Sequence, residues 1–210
     1  MGCRVAWLTG LSGAGKSTIA RRVAEALEAE GQRVLVLDGD AVRSTASPKL
    51  GFSRDDIHEN NQRFIEMCIE SMPDYDYILV PKISPFREHR AEVRREMGTA
   101  YVEVYVHASL DEVTRRDPKG LYQKAREGVL TGMVGVSPEV PYEPPEDAEV
   151  VLHTEKLTVA ACGATLADYL LARQVESRLD SRAVSKPADT SAPIVPTARR
   201  SGRSNANSGI

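Results

Sequence analysis

The 210-residue chain is poor in cysteine and aromatics and has no long apolar run, and each lack removes a class of protein. Its three cysteines, Cys3, Cys68 and Cys162, are odd in number and widely spaced. They suit neither a disulfide framework nor a zinc cluster, and reduced thiols in the cytoplasm are the expectation. Nothing approaches the roughly eighteen apolar residues of a membrane span, and the first residues run into a strand-like segment without a signal-peptide pattern. No internal repeat is found, which excludes a solenoid. Positive charge is scarce in the body of the chain. The whole is −3, but residues 181–210 carry +4, which leaves −7 on residues 1–180. A body of that sign lacks the basic footprint of a nucleic-acid binder. Neither nucleic acid nor a membrane is an expected partner.

What remains, 41% hydrophobic and 27% charged residues, suffices for one sizeable core. β-Branched runs at 4–9, 33–38, 77–81, 101–106 and 149–152 alternate with helix-like segments at 16–30, 54–72, 86–97, 109–127 and 157–174. Such alternation, with strands apolar on both faces, predicts a five-stranded, mainly parallel α/β sheet covered by helices in three layers. Residues 128–148 are irregular, rich in Gly, Pro and Glu, and long for a passive connection, so they read as part of a lid spanning about 117–145. The Ser-, Ala-, Pro- and Arg-rich stretch 179–210 is nearly free of large apolar residues and is expected to be a disordered tail beyond a domain of residues 1–178.

The strongest motif follows the first strand. Gly10-Leu11-Ser12-Gly13-Ala14-Gly15-Lys16-Ser17 fits G-x-x-x-x-G-K-[ST], with a strand before and a helix after. Such a loop turns backbone N–H groups toward an anion at a helix N-terminus. Lys16 is placed to reach the β- and γ-phosphates of a nucleotide and the Ser17 hydroxyl to ligate Mg²⁺. The cradle predicted for ATP is Gly10, Ser12, Gly13, Ala14, Gly15, Lys16, Ser17 and Thr18. A dinucleotide fingerprint fails, because it needs Gly where Ser12 stands, and Lys16-Ser17 would have no role in it. The third strand ends in Pro81-Lys82-Ile83-Ser84 without an acid, so the usual second carboxylate of the metal site is missing there. Asp38-Gly39-Asp40, at the end of the second strand, is the substitute: one acid for the metal, the other for an acceptor hydroxyl. Asp74 and Asp76 lie at the opposite end of the sheet and read as a solvated approach to strand three.

GLSGAGKST, LDGDAVR, LGFS, ENNQR, ISPFR and RDPKGLYQKAREG followed by YEPP together resemble the adenylylsulfate (APS) kinases, in order and spacing, over residues 4–175. The resemblance implies a P-loop kinase fold, a homodimer, and transfer of the ATP γ-phosphoryl group to the 3′-hydroxyl of adenylylsulfate. By the same resemblance Asp40 is the base or hydroxyl-orienting acid and Asp38 the metal or water-shell partner. Arg43 grips the phosphosulfate, Phe52 stacks on the substrate adenine and Asn60 binds substrate. Ile83 and Ser84 contact substrate through the ISPFR segment, where the serine carries phosphate in some members. Lys119, Tyr122 and Arg126 belong to the lid, Lys119 on the substrate side and Arg126 on the ATP side. Lys16, Asp38, Asp40 and Ser84 form the expected catalytic set. Cations at Arg43, Arg87, Lys119 and Arg126 offset the negative body at an anionic site.

The departures lie on the acceptor side. Where the family reads D-R-x-E-N-I-R-R, this chain has Asp56-Ile57-His58-Glu59-Asn60-Asn61-Gln62-Arg63, so two arginines become Ile57 and Gln62. The first normally helps hold the phosphosulfate. The family's F-T-G in the lid is Met133-Val134-Gly135, which removes an aromatic and a hydroxyl. A charge-assisted contact is worth about 1.5–3 kcal/mol and a stacked base about 1–3 kcal/mol, so acceptor binding would fall by orders of magnitude without compensation. His58 is one candidate compensator. Two alternatives follow: a divergent paralogue acting on another nucleotide-like acceptor, or a non-catalytic nucleotide-binding regulator.

Overall fold

The structure, a computed structural model, describes residues 2–39, 51 and 53–184. Asp40, Arg43 and Phe52, three of the expected substrate contacts, lie outside the described residues, as does the sequence beyond 184. The elements are β1 (Arg4–Thr9), α1 (Lys16–Ala29), β2 (Val34–Val36), α2 (Arg54–Ser71), β3 (Tyr77–Pro81), α3 (Arg87–Met97), β4 (Tyr101–His107), α4 (Leu110–Arg116), α5 (Leu121–Arg126), β5 (Val150–His153) and α6 (Val159–Val184). The strands form one sheet in the order β2-β3-β1-β4-β5, and all four pairings are parallel.

Alternation along β1 explains why both faces are covered. Ala6 and Leu8 face a cluster containing Ile19, Val23 and Leu27 of α1 and Leu166 and Leu170 of α6. Val5 and Trp7 face the other way, into a cluster with Phe64 and Cys68 of α2 and Val93 and Met97 of α3. Trp7 is fully buried, edge-on to Phe64 with 6.2 Å between ring centroids. The three layers are therefore written in a period-2 alternation whose two faces are both apolar over Val5–Leu8. The three cysteines are all free and buried.

Two helices depart from the sequence reading. The segment read as one helix over 109–127 is two, separated at Asp117–Gly120. Pro118 lacks the N–H to continue α4 and disfavours helical backbone at Asp117. Asp117 turns (φ 27°) and its carboxylate accepts from the N–H groups of Tyr122 (3.1 Å) and Gln123 (2.9 Å), starting α5. The last helix runs to Val184, not 174, and so crosses the boundary expected at 178. Residues 175–184 contain neither Gly nor Pro, and nothing in them stops a helix already under way. Asp76 is also more than solvated. It accepts from Arg33 Nε and Nη2 (3.2 and 3.1 Å) and pins the start of β2 to the start of β3.

The topology locates the crevice. The connection after β1 leads to β2 on one side, that after β3 to β4 on the other, and β1 and β3 are neighbours. Between strands whose connections diverge, loops at the carboxyl ends part and leave room for a ligand.

Candidate active site

A cleft of about 330 Å³ opens at that switch point. Its floor is the glycine-rich loop and first turn of α1 (Ser12, Gly13, Gly15, Lys16, Ser17, Thr18). Its far wall is Ile57 and Asn60 of α2 with Pro81–Pro85 after β3, and its rim is Pro118, Lys119, Leu121 and Val134. The phosphate loop and most of the described acceptor-side residues thus share one space. Gly10 and Ala14 belong to the loop but do not line the cleft; Arg126 is exposed in the last turn of α5 and does not line it either.

The loop's shape comes from its backbone. Gly10 has φ 151°, and a Cβ there would lie 2.3 Å from the carbonyl oxygen of Val106 on β4. Only glycine fits so close to the neighbouring strand. Gly10→Ala is accordingly expected to lower stability by about 2–3 kcal/mol or more, through overpacking against a backbone that cannot move aside. A thermal melt together with titration of a non-hydrolysable ATP analogue checks this, and a melt within 2 °C of wild type with unchanged affinity would refute it. Lys16 is buried, and its Nζ donates to Gly10 O and Leu11 O, both at 2.9 Å, so the ammonium caps the loop's own carbonyls.

The segment read as a lid is tied to the phosphate loop. Tyr122 Oη donates to Ser12 O at 2.9 Å, and burial pushes its phenol up to about 12, so it stays a donor at neutral pH. Burial works to raise the Asp117 carboxyl, but the backbone N–H groups of Gln123, Tyr122 and Leu121 outweigh it and hold the group below the usual range. The Asp-Pro-Lys-Gly turn is therefore an anionic cap that sets Lys119 at the rim.

Asp38 follows β2, whose neighbour is β3, and Leu37 N–H donates to Leu79 O at 2.9 Å. The absence of a side chain at Gly39 permits the close approach to the end of β3: a Cβ there would meet Pro81 O at 3.3 Å and Lys82 Cγ at 3.5 Å. Asp38, the acid read as the substitute, thus follows a strand that runs beside the acid-free end of β3.

Ser84 is held hard. It is 1% exposed with φ 42°, a strained value for a residue with a side chain. Its Oγ accepts from Trp7 Nε1 (2.9 Å) and its carbonyl from Arg90 Nη1 (2.7 Å). Thr9 Oγ1 donates to Ile83 O at 2.5 Å and meets the Tyr142 hydroxyl at 3.0 Å. Arg90, buried at 2%, also donates to Glu103 Oε1 and to Glu143 O, both 2.7 Å. It clamps the ISPFR turn to β4 and to the segment returning from the lid. Neither the Arg90–Glu103 pair nor the Trp7–Ser84 bond was legible in the sequence, where each residue belongs to a different motif or to none.

The substituted positions behave differently from one another. Ile57 and Val134 are both buried and pack with Phe86 and Val140, making an apolar wall on the acceptor side. Met133 does not stand on that wall. It lies in the main core with Ala14, Val113 and Tyr122, because the turn closed by Val136 N–H to Met133 O directs it inward. Of these two, the residue that meets the cleft is Val134. Gln62 donates to Glu92 Oε1 at 2.8 Å and joins α2 to α3. His58 is 3.2 Å from Glu92 Oε2, its ring centroid 5.0 Å from that of His89, and it does not line the cleft. Arg87 pairs with Glu146 (2.6 Å) and Pro144 O (2.8 Å) and does not line the cleft. One cation the sequence reading passed over does line the cleft: Lys82, 8% exposed, with Nζ donating to Asn60 Oδ1 at 2.6 Å. A lysine directly after the apolar run YILVP was the available signal.

A parallel sheet carrying a G-x-x-x-x-G-K-S loop at its switch point, with Lys119 at the rim and Asn60, Lys82 and Ser84 on the far wall of the same cleft, defines a P-loop phosphotransferase. Comparison with known proteins narrows the class. The family model described as adenylylsulphate kinase matches residues 1–153. The adenylyl-sulfate kinase of Synechococcus sp. (strain JA-3-3Ab) is 47% identical over 157 residues, covering 74% of this chain and 87% of that one. The probable adenylyl-sulfate kinase of Aeropyrum pernix is 45% identical over 158 residues, 74% of this chain and 85% of the relative. The APS kinase of Mycobacterium tuberculosis, solved in complex with AMPPNP and APS, is 36% identical and superposes with a TM-score of 0.76 over 81% of this chain and 98% of its own. The chain belongs to the adenylylsulfate kinase family. Among the described residues no helix is long and apolar enough to cross a membrane.

Proposed function

We propose that the protein transfers the γ-phosphoryl group of ATP to the 3′-hydroxyl of adenylylsulfate, in the cytoplasm and as a homodimer. The observation that carries this reading is the continuity of the cleft from Ser12–Thr18 to Asn60, Lys82 and Ser84. Phosphoryl transfer demands in-line placement of acceptor oxygen and leaving oxygen, with charge neutralised on the moving group, more than covalent chemistry. The γ-phosphorus bond to the β–γ bridging oxygen breaks as a bond to the acceptor oxygen forms, and ADP leaves. Asp40, on its sequence position, accepts or orients the acceptor proton. Lys16 gives up its loop carbonyls to follow the phosphates. Tyr122 and Lys119 hold the lid turn over them.

Ser17 and Asp38 are the residues that would hold Mg²⁺. Among the described residues there is no cluster of three or more His, Cys, Asp or Glu to cage a metal. One hydroxyl and one carboxylate suit an ion that keeps waters and takes phosphate oxygens as its other ligands. When bound, Mg²⁺ neutralises charge on the β- and γ-oxygens.

The apolar wall of Ile57 and Val134 favours a second reading, in which the acceptor is another nucleotide-like alcohol. ADP release measured against a panel of acceptors, adenylylsulfate first, separates the two. Turnover with adenylylsulfate at least tenfold above every other acceptor is expected. ADP release with a different acceptor and none with adenylylsulfate would establish the second reading instead, and ATP binding without turnover on any acceptor would make the protein a regulator.

A further inference from the structure

All four histidines of the chain fall among the described residues, and they form two pairs. His58 and His89 each face a glutamate, Glu92 at 3.2 Å and Glu88 at 3.3 Å. His107 and His153 face each other. They are register partners at the carboxyl ends of the parallel strands β4 and β5, with Nδ1 to Nδ1 at 3.3 Å and ring centroids 5.0 Å apart. That separation lies beyond the usual N–H hydrogen-bond range of about 2.7–3.2 Å. It is the bite of a tetrahedral ion: two metal–nitrogen bonds of about 2.0–2.1 Å at the tetrahedral angle set the nitrogens about 3.3–3.4 Å apart. Strand pairing fixes the two backbones, and Tyr105 packs edge-on to the His107 ring with 5.3 Å between centroids, so that ring is held from behind. Access is open from the other side. His153 is exposed, and His107 borders an open hollow of about 440 Å³ shared with Ser109, Leu110 and Tyr142.

We propose that His107 and His153 bind a borderline divalent transition-metal ion, of which Zn²⁺ is the type, through their two Nδ1 atoms and outside the nucleotide cleft, which neither residue lines. Imidazole nitrogen suits zinc, nickel and copper, whereas magnesium takes oxygen, so this pair and the set at Ser17 and Asp38 select different ions. With the protons placed on Nε2, each Nδ1 presents its lone pair to the ion. Among the described residues no third His, Cys, Asp or Glu joins the pair as a ligand, so water fills the remaining positions. A carboxylate stands nearby. Hydrogen bonds from the Ser109 backbone and hydroxyl hold Glu155 below its usual range, His107 adds to them, and the resulting negative charge favours a cation beside the pair. An ion there staples β5, at the end of the strand order, to β4. Thr154 follows directly and donates its hydroxyl to Ala14 O at 3.0 Å, so the staple lies one residue from a strut of the phosphate loop.

The site is independent of the kinase reading and is tested without turnover. Untagged full-length protein is titrated calorimetrically with ZnCl₂, in excess MgCl₂ to occupy sites built from oxygen. One Zn²⁺ per chain is expected, with Cu²⁺ binding more tightly. His107→Gln and His153→Gln are each expected to weaken Zn²⁺ binding roughly tenfold or more, since removing even an outer partner of a metal ligand costs about 10–100-fold. His58→Gln, in the other histidine pair, is expected to leave the affinity unchanged. Because an ion that binds only the folded state raises its melting temperature, Zn²⁺ should shift the melt of the wild type and not that of the double variant His107→Gln/His153→Gln. Absence of Zn²⁺ binding by the wild type, binding that survives both substitutions, or binding lost with His58→Gln instead would each overturn the assignment. Circular dichroism reports whether the variants fold. Should His107→Gln fail to fold, the exposed His153→Gln decides alone, and an affinity within threefold of wild type there overturns the assignment.

Discussion

Lys16→Ala is expected to reduce turnover by about 10²–10³-fold or more, the scale of losing one preorganised charge at a site of developing negative charge. Lys16 is the only cation of the glycine-rich loop, and no arginine or histidine of that loop can take its place. Its Nζ donates to Gly10 O and Leu11 O. The substitution therefore removes two hydrogen bonds as well as a charge. Each net bond is worth about 0.5–1.5 kcal/mol, and the carbonyls can be re-solvated from the open cleft, so the fold should survive with a modestly lower melting temperature. Steady-state ADP release at saturating ATP, paired with a melt, distinguishes loss of chemistry from loss of structure. More than about a tenth of wild-type turnover in a folded variant would take Lys16 out of the phosphate site.

The largest effect on stability is expected at Arg90, which no motif marks as structural. Arg90→Met leaves Glu103 with only the longer side-chain contact from Arg94 Nη2 at 3.3 Å, takes the guanidinium donor from the Glu143 carbonyl, and leaves the Ser84 carbonyl with only the longer Thr9 Oγ1 contact at 3.3 Å. Removing one partner of a buried, hydrogen-bonded ion pair costs about 3–5 kcal/mol, because the remaining charge stays buried. For a domain of this size that corresponds to a fall in Tm on the order of 6–20 °C. Arg87→Met is the control. Its partner Glu146 is exposed, and such pairs contribute about 0–1 kcal/mol. Differential scanning calorimetry of both variants checks the contrast. Equal, small shifts would mean that the Ser84 turn holds its strained backbone by other means.

Local signals carried the sheet and the phosphate loop. A strand apolar at every position has no solvent face, so a parallel sheet between two helical layers was legible from five short runs, and the glycine spacing before Lys16-Ser17 defines an anion cradle whatever surrounds it. The capping box at Ser53 and Asp56, which starts α2 in the LGFS-to-ENNQR stretch, is equally local. What sequence could not supply were relations between residues far apart in the chain. Ser84, read as a contact to substrate, has its hydroxyl on Trp7, 77 positions earlier. Met133 and Val134 are neighbours in sequence, yet the turn after Met133 sends one into the core and the other to the cleft. Lys82 reaches Asn60 from the end of another element, and only once β3 and α2 have packed through Phe64. Sequence by itself determined the class of fold and the place where phosphate binds, since both follow from patterns within a few residues. Which side chains line the rest of the cleft was decided by tertiary structure, because that depends on where separate elements converge.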